Sequence, residues 1–146
     1  MKKYRLVAVL LAVLAATVAW SLTAAPAATA STAPVRIPFD KHYDAALGYY
    51  VGTACDGGTI AVRVLESHAT GQVQHLTAQF DVTIGTRLFT AILNGDFNSV
   101  TRRTLLNGTI TSGWLQGAQV HEQGQLVNPD TGHFVGELRL VPASAG

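Results

Sequence analysis

Hydrophobic and polar residues alternate along several segments of the chain. In the clearest one every second residue is apolar, and this set comprises Leu76, Ala78, Phe80, Val82 and Ile84. A segment near the C-terminus alternates in the same way, with Phe134, Gly136, Leu138 and Leu140 on one side. A period of two is typical of a β-strand with one buried and one solvated face. Beyond residue 35 no helical stripe of useful length is present, so the pattern predicts an all-β protein.

Turn sequences that contain glycine separate these segments. Their spacing of roughly 10–15 residues predicts about seven or eight antiparallel strands. We place these strands at residues 47–54, 59–67, 73–84, 87–93, 97–101, 104–111, 117–127 and 133–141.

Three glycines, Gly95, Gly108 and Gly136, each have a bulky apolar residue two positions away on both sides. We interpret Asn94-Gly95 as a hairpin turn. Gly108 and Gly136 are interpreted as strand residues that permit the coiling of a small closed barrel. An open sheet so rich in glycine would expose poorly specified edges, which closure removes. We therefore expect a small antiparallel β-barrel, with a β-sandwich as the alternative.

The first 30 residues have the three-part layout of a secretory signal peptide. Three basic residues, at positions 2, 3 and 5, precede an apolar run from Leu6 to Trp20 that only Thr17 interrupts. A small-residue stretch follows, and Ala28-Thr29-Ala30 is its best cleavage sequence. The apolar run is shorter than the roughly 20 residues that a membrane-spanning helix needs. These features predict cleavage after Ala30.

We therefore divide the chain into a signal peptide (1–30), a short flexible leader (31–35) and a single all-β domain (36–146). The mature protein is expected to be secreted, to the periplasm, the cell surface or the medium. No stable membrane anchor should remain after cleavage. The alanine-rich N-terminal stretch indicates a bacterial source.

Charge and cysteine content exclude some classes of function. The chain has 10 basic and 9 acidic residues, and removal of the three N-terminal basic residues leaves 7 against 9, a net charge of −2. This balance argues against a nucleic-acid partner, which requires the neutralisation of many phosphates. The single cysteine, Cys55, excludes an internal disulfide. Cys55 is then either a buried free thiol or the bridge of a homodimer.

Glu122 is the candidate catalytic residue. It occurs at an even position of the strand 117–127, in register with apolar Ala118, Val120 and Leu126. A carboxylate inside a barrel would have a raised pKa and could act as a general acid or base, or anchor a ligand. A bulge near Gly117 or Gly124 would instead expose it, and a buried pair with an arginine would make it structural.

Aromatic and metal-ligating residues give further candidates. Tyr49 and Trp114, together with Glu122, are the candidate ligand-binding residues, because aromatic rings at a barrel rim can close over an apolar ligand. Core packing is the alternative role for both rings. Asp40, His42 and Asp44 share one strand face, but a solvated surface explains them more simply than a metal. We assign no metal and no cofactor, and the chain has no nucleotide-binding or hydrolase motif.

The predicted barrel and its apolar inner face favour a non-enzymatic protein that binds a small apolar or amphipathic ligand. One alternative is a structural or cell-surface interaction module with a filled core. Another is an enzyme of the cyclase or isomerase type that uses Glu122. In strand number and glycine pattern the chain resembles small exported barrels of the lipocalin, allene-oxide-cyclase and dirigent types. This resemblance implies a fold and carries over no residue roles.

Overall fold

The computed structural model describes residues 33–144, which form eight β-strands. The strands are β1 (Val35–Asp44), β2 (Tyr49–Ala54), β3 (Gly58–Thr70), β4 (Val73–Ile84), β5 (Arg87–Asn98), β6 (Arg103–Gly113), β7 (Gln119–Asn128) and β8 (His133–Val141). The predicted signal peptide, residues 31 and 32 of the leader and the last two residues lie outside the described part of the chain. No helix within the described range is long and apolar enough to cross a membrane.

The strands form a closed antiparallel barrel in which each strand pairs with its neighbours in sequence order. The barrel closes where β1 pairs with β8, for example at Ile37 opposite Leu138. Closure gives every strand two partners, so the hydrogen-bonding edges of the sheet are satisfied. The prediction of a small antiparallel barrel is confirmed, and the sandwich alternative is not what the chain forms.

The predicted strand positions contain two errors: one strand was missed and another was divided in two. The predicted number of strands is nevertheless correct, because the two errors cancel. β1 lies in a segment where no strand was predicted, and it starts at Val35, the last residue of the assigned leader. Lysine, histidine and aspartate obscure its apolar alternation. The separate strands predicted at 87–93 and 97–101 are one strand, β5.

The Asn94-Gly95 turn is likewise a wrong prediction, because Gly95 lies within β5. A Cβ atom at this position would lie 2.0 Å from the backbone oxygen of Leu105 on β6. Glycine at position 95 therefore allows β5 and β6 to approach closely and does not form a turn. Gly108 and Gly136 do lie within strands, as predicted.

Alternate connections lie at opposite ends of an antiparallel barrel. Segments 45–48, 71–72, 99–102 and 129–132 are at one end, which we call the cavity end. Segments 55–57, 85–86 and 114–118 are at the other, which we call the packed end. Inward side chains toward the packed end form a dense core, including Ile37, Ile60, Val82, Phe89, Ile110 and Leu140.

Candidate functional site

A cavity of about 450 Å³ occupies the barrel interior toward the cavity end. Its walls are mainly apolar and are contributed by Val62, Leu76, Ala78, Phe80, Phe97, Leu106, Leu126 and Phe134. Side chains with substantial solvent exposure also line it, among them Tyr43 (45% exposed) and Val64 (44%). The cavity therefore opens to solvent at this end of the barrel.

Three polar side chains are buried inside the barrel and form the buried polar cluster: Lys41, Thr104 and Glu122. The Thr104 hydroxyl donates a hydrogen bond of 2.9 Å to Glu122 Oε1. Lys41 Nζ lies 3.6 Å from the same oxygen, close enough for an ion pair. Glu122 Oε2 is buried and has no hydrogen-bond partner among the described residues. One carboxylate oxygen is thus occupied, and the other is unsatisfied.

The sheet register brings this cluster together from three strands. Lys41 on β1 is opposite Phe134, and Glu122 on β7 is opposite Leu106. Thr104 on β6 is opposite Gly124, two residues after Glu122. A Cβ at Gly124 would lie 2.4 Å from Thr104 Oγ1 and 2.7 Å from Glu122 Oε1. Glycine at 124 therefore leaves the space in which the hydroxyl and the carboxylate meet.

Lys41 lies between this carboxylate and the cavity. Lys41 and Thr104 line the cavity, whereas Glu122 does not, and both of these cavity residues contact the Glu122 carboxylate. Aromatic rings surround the Lys41 nitrogen, with Nζ 4.7 Å from the ring centre of Phe39 and 4.8 Å from that of Phe80. Ring faces attract a cation electrostatically, and they offer no hydrogen-bond acceptor as strong as water.

Burial shifts both ionisable groups toward their neutral forms. Removal from water lowers the pKa of Lys41 below its ordinary value, and the charge of Glu122 opposes this only in part. Removal from water raises the pKa of Glu122, against the opposing effects of Lys41 and the Thr104 hydrogen bond. Desolvation penalises a charged group of either sign, so both shifts have the same cause. Both shifts therefore act toward a neutral amine and a neutral carboxylic acid.

The structure brings two of the three predicted ligand-binding residues to this region. Tyr49 lines the cavity, and the Arg63 guanidinium carbon lies 4.3 Å from the centre of its ring. Glu122 points inward, as the alternation of its strand predicted, and is 1% exposed. Trp114 is at the packed end, where its ring lies 6.2 Å from that of Phe89 and beneath Arg87. It does not line the cavity.

Lys41 is the member of the buried polar cluster at the cavity that the sequence interpretation missed. The partner considered for a buried Glu122 was an arginine, and residues 40–44 were assigned to a solvated surface. The signal was present in the alternation of Ile37, Phe39 and Lys41, all of which point inward. Charged residues at 40, 42 and 44 concealed it.

Asp40 and Asp44, on the first strand of the barrel, have local partners. His133 Nε2 lies 2.8 Å from an Asp40 carboxylate oxygen. Asp44 accepts hydrogen bonds from the backbone nitrogens of Ala46 and Leu47, which fixes the turn after β1. Within residues 33–144, no group of three or more His, Cys, Asp or Glu side chains is arranged to hold a metal ion.

Cys55 lies in the turn after β2, at the packed end, with a positive φ of 52°. Its side chain is half-buried against the core. Burial, and secondarily the charge of Asp56, raises the pKa of its thiol. A raised pKa lowers the thiolate fraction, which is the nucleophilic form. A bridge between two copies through Cys55 stays a prediction.

No protein-family model matches the chain, and no curated protein is significantly similar to it.

Proposed function

We propose that the barrel binds a small apolar or amphipathic molecule in its cavity. The observation that carries this proposal is the cavity itself, about 450 Å³ with mainly apolar walls. Ligand sites are typically clefts of roughly 300–1,000 Å³ lined by apolar and aromatic side chains with a few polar groups. This cavity has that size and that composition.

The driving force for binding is the transfer of apolar ligand surface out of water. Each buried methylene group contributes about 0.8 kcal/mol. Tyr43 and Tyr49, which line the cavity, each combine an apolar ring with a hydroxyl. Such side chains suit a ligand with one apolar and one hydrated end. Secretion would place the protein where it meets such molecules outside the cytoplasm.

The test is a calorimetric titration of the protein with N-phenyl-1-naphthylamine, a neutral apolar dye. The titration measures the affinity of the protein for the dye. Leu76→Trp adds bulk inside the cavity, because Leu76 lines it on β4. The matched control is Leu88→Trp, because Leu88 is 59% exposed on β5 and lies outside the cavity.

We expect the wild type and Leu88→Trp to bind the dye equally, and Leu76→Trp to bind at least about tenfold more weakly, a loss of about 1.4 kcal/mol. Circular dichroism checks that both variants fold. Equal binding by all three proteins, or no binding by the wild type, would remove the proposal.

An isomerase or cyclase that uses Glu122 as general acid or base is the second candidate. It is supported by the position of the Glu122 carboxyl 3.6 Å from Lys41, which itself lines the cavity. Deuterium exchange at the α-carbon of a small apolar ketone would support this function if it persists in Lys41→Met and is lost in Glu122→Gln.

The structural-module alternative receives less support, because it required a filled core.

A further inference from the structure

We propose that Lys41 forms a reversible imine with an apolar aldehyde or ketone held in the cavity. This inference rests on the proposed binding function and names the chemical class of one ligand. The observations that carry it are an amine at the inner wall of an apolar cavity, a carboxyl group beside it, and the absence of any other lysine along the barrel wall.

Lys41 is placed to react with a cavity ligand. It lines the cavity although only 5% of it is exposed, so its nitrogen is reached from the cavity rather than from the outer surface. The ring centres of Phe39, Phe80 and Phe134 lie 4.7, 4.8 and 5.6 Å from Nζ. These rings exclude water and present an apolar surface to the carbon chain of a ligand. Lysines desolvated in such pockets are the ones that act as nucleophiles.

Glu122 supplies the proton transfers that imine formation requires. Its Oε1 is held by Thr104 at 2.9 Å and faces Lys41 Nζ at 3.6 Å. Its Oε2 has no partner among the described residues, so one carboxyl oxygen is free to exchange a proton. A buried unsatisfied oxygen costs free energy, and its persistence in a site requires an explanation. Proton relay to a bound carbonyl compound provides one.

The reaction balances without an oxidant or reductant. The neutral Lys41 amine attacks the carbonyl carbon, so that the C–N bond forms as the π bond of the carbonyl group breaks. A proton then moves from nitrogen to the former carbonyl oxygen. The protonated Glu122 carboxyl then donates its proton to the hydroxyl group of this carbinolamine, which leaves as water while the C=N bond forms. The product is a protonated imine whose positive charge is balanced by the Glu122 carboxylate. Water reverses every step.

Burial favours the starting state of this reaction. The pKa of Lys41 is lowered and that of Glu122 is raised, both by desolvation. The attack on the carbonyl consumes the neutral amine, and the loss of water consumes the proton of the neutral carboxylic acid.

The experiment is reductive trapping with octanal and sodium cyanoborohydride on the full chain. Lys41 is the only lysine after residue 3. Trypsin cannot cleave after an alkylated lysine, so modification at Lys41 yields an uncut peptide spanning residues 37–63. Mass spectrometry of this peptide measures the trapped fraction. Two variants serve as controls. Lys41→Arg has a basic side chain that cannot form the imine, and Leu76→Trp adds bulk inside the cavity.

We expect Lys41 to be alkylated at least about tenfold faster than the amine of Nα-acetyl-lysine at equal concentration. The rate should fall at least about tenfold in Glu122→Gln, since general acid–base catalysis contributes 10²–10⁴-fold in typical cases. Dye bound in the cavity should block the reaction. Alkylation no faster than that of the free amine, or unchanged in Glu122→Gln, would overturn the inference.

Octanol separates failure of this inference from failure of the proposed function, because it has the same chain and no carbonyl group. If octanol and octanal both displace the dye and Lys41 is not trapped, binding stands and the imine is wrong. If the dye binds but neither compound displaces it, the binding function stands and the imine is wrong. If the dye itself does not bind the wild type, both proposals fail.

Discussion

Lys41 and Glu122 form an ionisable pair that folding removes almost completely from water, with side chains 6% and 0% exposed. Removal of one partner from such a pair leaves the other ionisable group buried in an apolar environment without a counter-charge. Lys41→Met is informative because methionine keeps most of the side-chain volume and is unbranched and uncharged, without an amine. Glu122 then loses the Coulombic attraction that partly counteracts the desolvation of its carboxylate.

The Lys41→Met variant should lose stability as pH rises. The Glu122 pKa is raised in the folded protein, whereas in the unfolded chain it is near 4.5. Below pH 4.5 the Glu122 carboxyl is protonated in both the folded and the unfolded protein, so its titration does not reduce the free energy of unfolding. Above it the unfolded chain loses the proton and the folded protein retains it, so the free energy of unfolding falls by about 1.4 kcal/mol per pH unit until the folded pKa is reached.

Urea denaturation at pH 4, 6 and 8 measures this effect. The control is Lys41→Met/Glu122→Gln, which lacks the titrating group, so that contributions of all other residues cancel in the difference. Parallel pH profiles for the single and the double variant would contradict the account of Glu122 as a desolvated carboxyl.

At the residue scale, the inward direction of Glu122 was predictable and its environment was not. The alternation of Val120 and Glu122 with polar neighbours, continued from Ala118 just before the strand, indicates which face of β7 each side chain occupies. Its partners Lys41 and Thr104 come from β1 and β6, and only the strand register brings them within reach. Trp114 shows the same limit, since its position at the packed end depends on the pairing of strands.

At the scale of elements, glycines inside strands allow neighbouring backbones to approach closely. A Cβ at Gly108 would lie 1.9 Å from the backbone oxygen of Ile92, and one at Gly136 would lie 2.1 Å from that of Gln123. Asn-Gly is also the strongest short hairpin signal. Local sequence therefore cannot show whether Gly95 lies in a turn or within β5. The backbone that leaves no room for a side chain at this position belongs to β6, which is a separate segment of the sequence.

Gly108→Ala should destabilise the barrel strongly. The added methyl group meets backbone rather than the end of a flexible side chain, so β5 and β6 must separate locally. We expect a loss of about 2–3 kcal/mol, at the upper end of overpacking effects. Thr109→Ala, at an exposed position next in the same strand, should cost less than about 1 kcal/mol. Urea denaturation of the two variants decides this, and equal stability would exclude a close-approach role for Gly108.

At the scale of the whole molecule, the barrel combines a dense core toward one end with an open cavity toward the other. Closure through β1 and β8 fixes the cavity walls, because every strand is held on both sides. Fold class was predictable from period-two alternation and turn spacing, whereas the number of strands agreed because the missed β1 and the divided β5 cancel. The uneven filling of the barrel was not, since it depends on how side chains from all eight strands fit together.

The central claim is that small apolar molecules enter the barrel at its cavity end. Methyl NMR of selectively labelled protein titrated with N-phenyl-1-naphthylamine tests it most directly. We expect shift changes and ligand contacts at cavity methyl groups, including those of Val62, Leu76 and Leu126, and none at Leu88 or Leu140. Perturbations confined to exposed methyl groups, or no perturbation at saturating dye, would contradict the account.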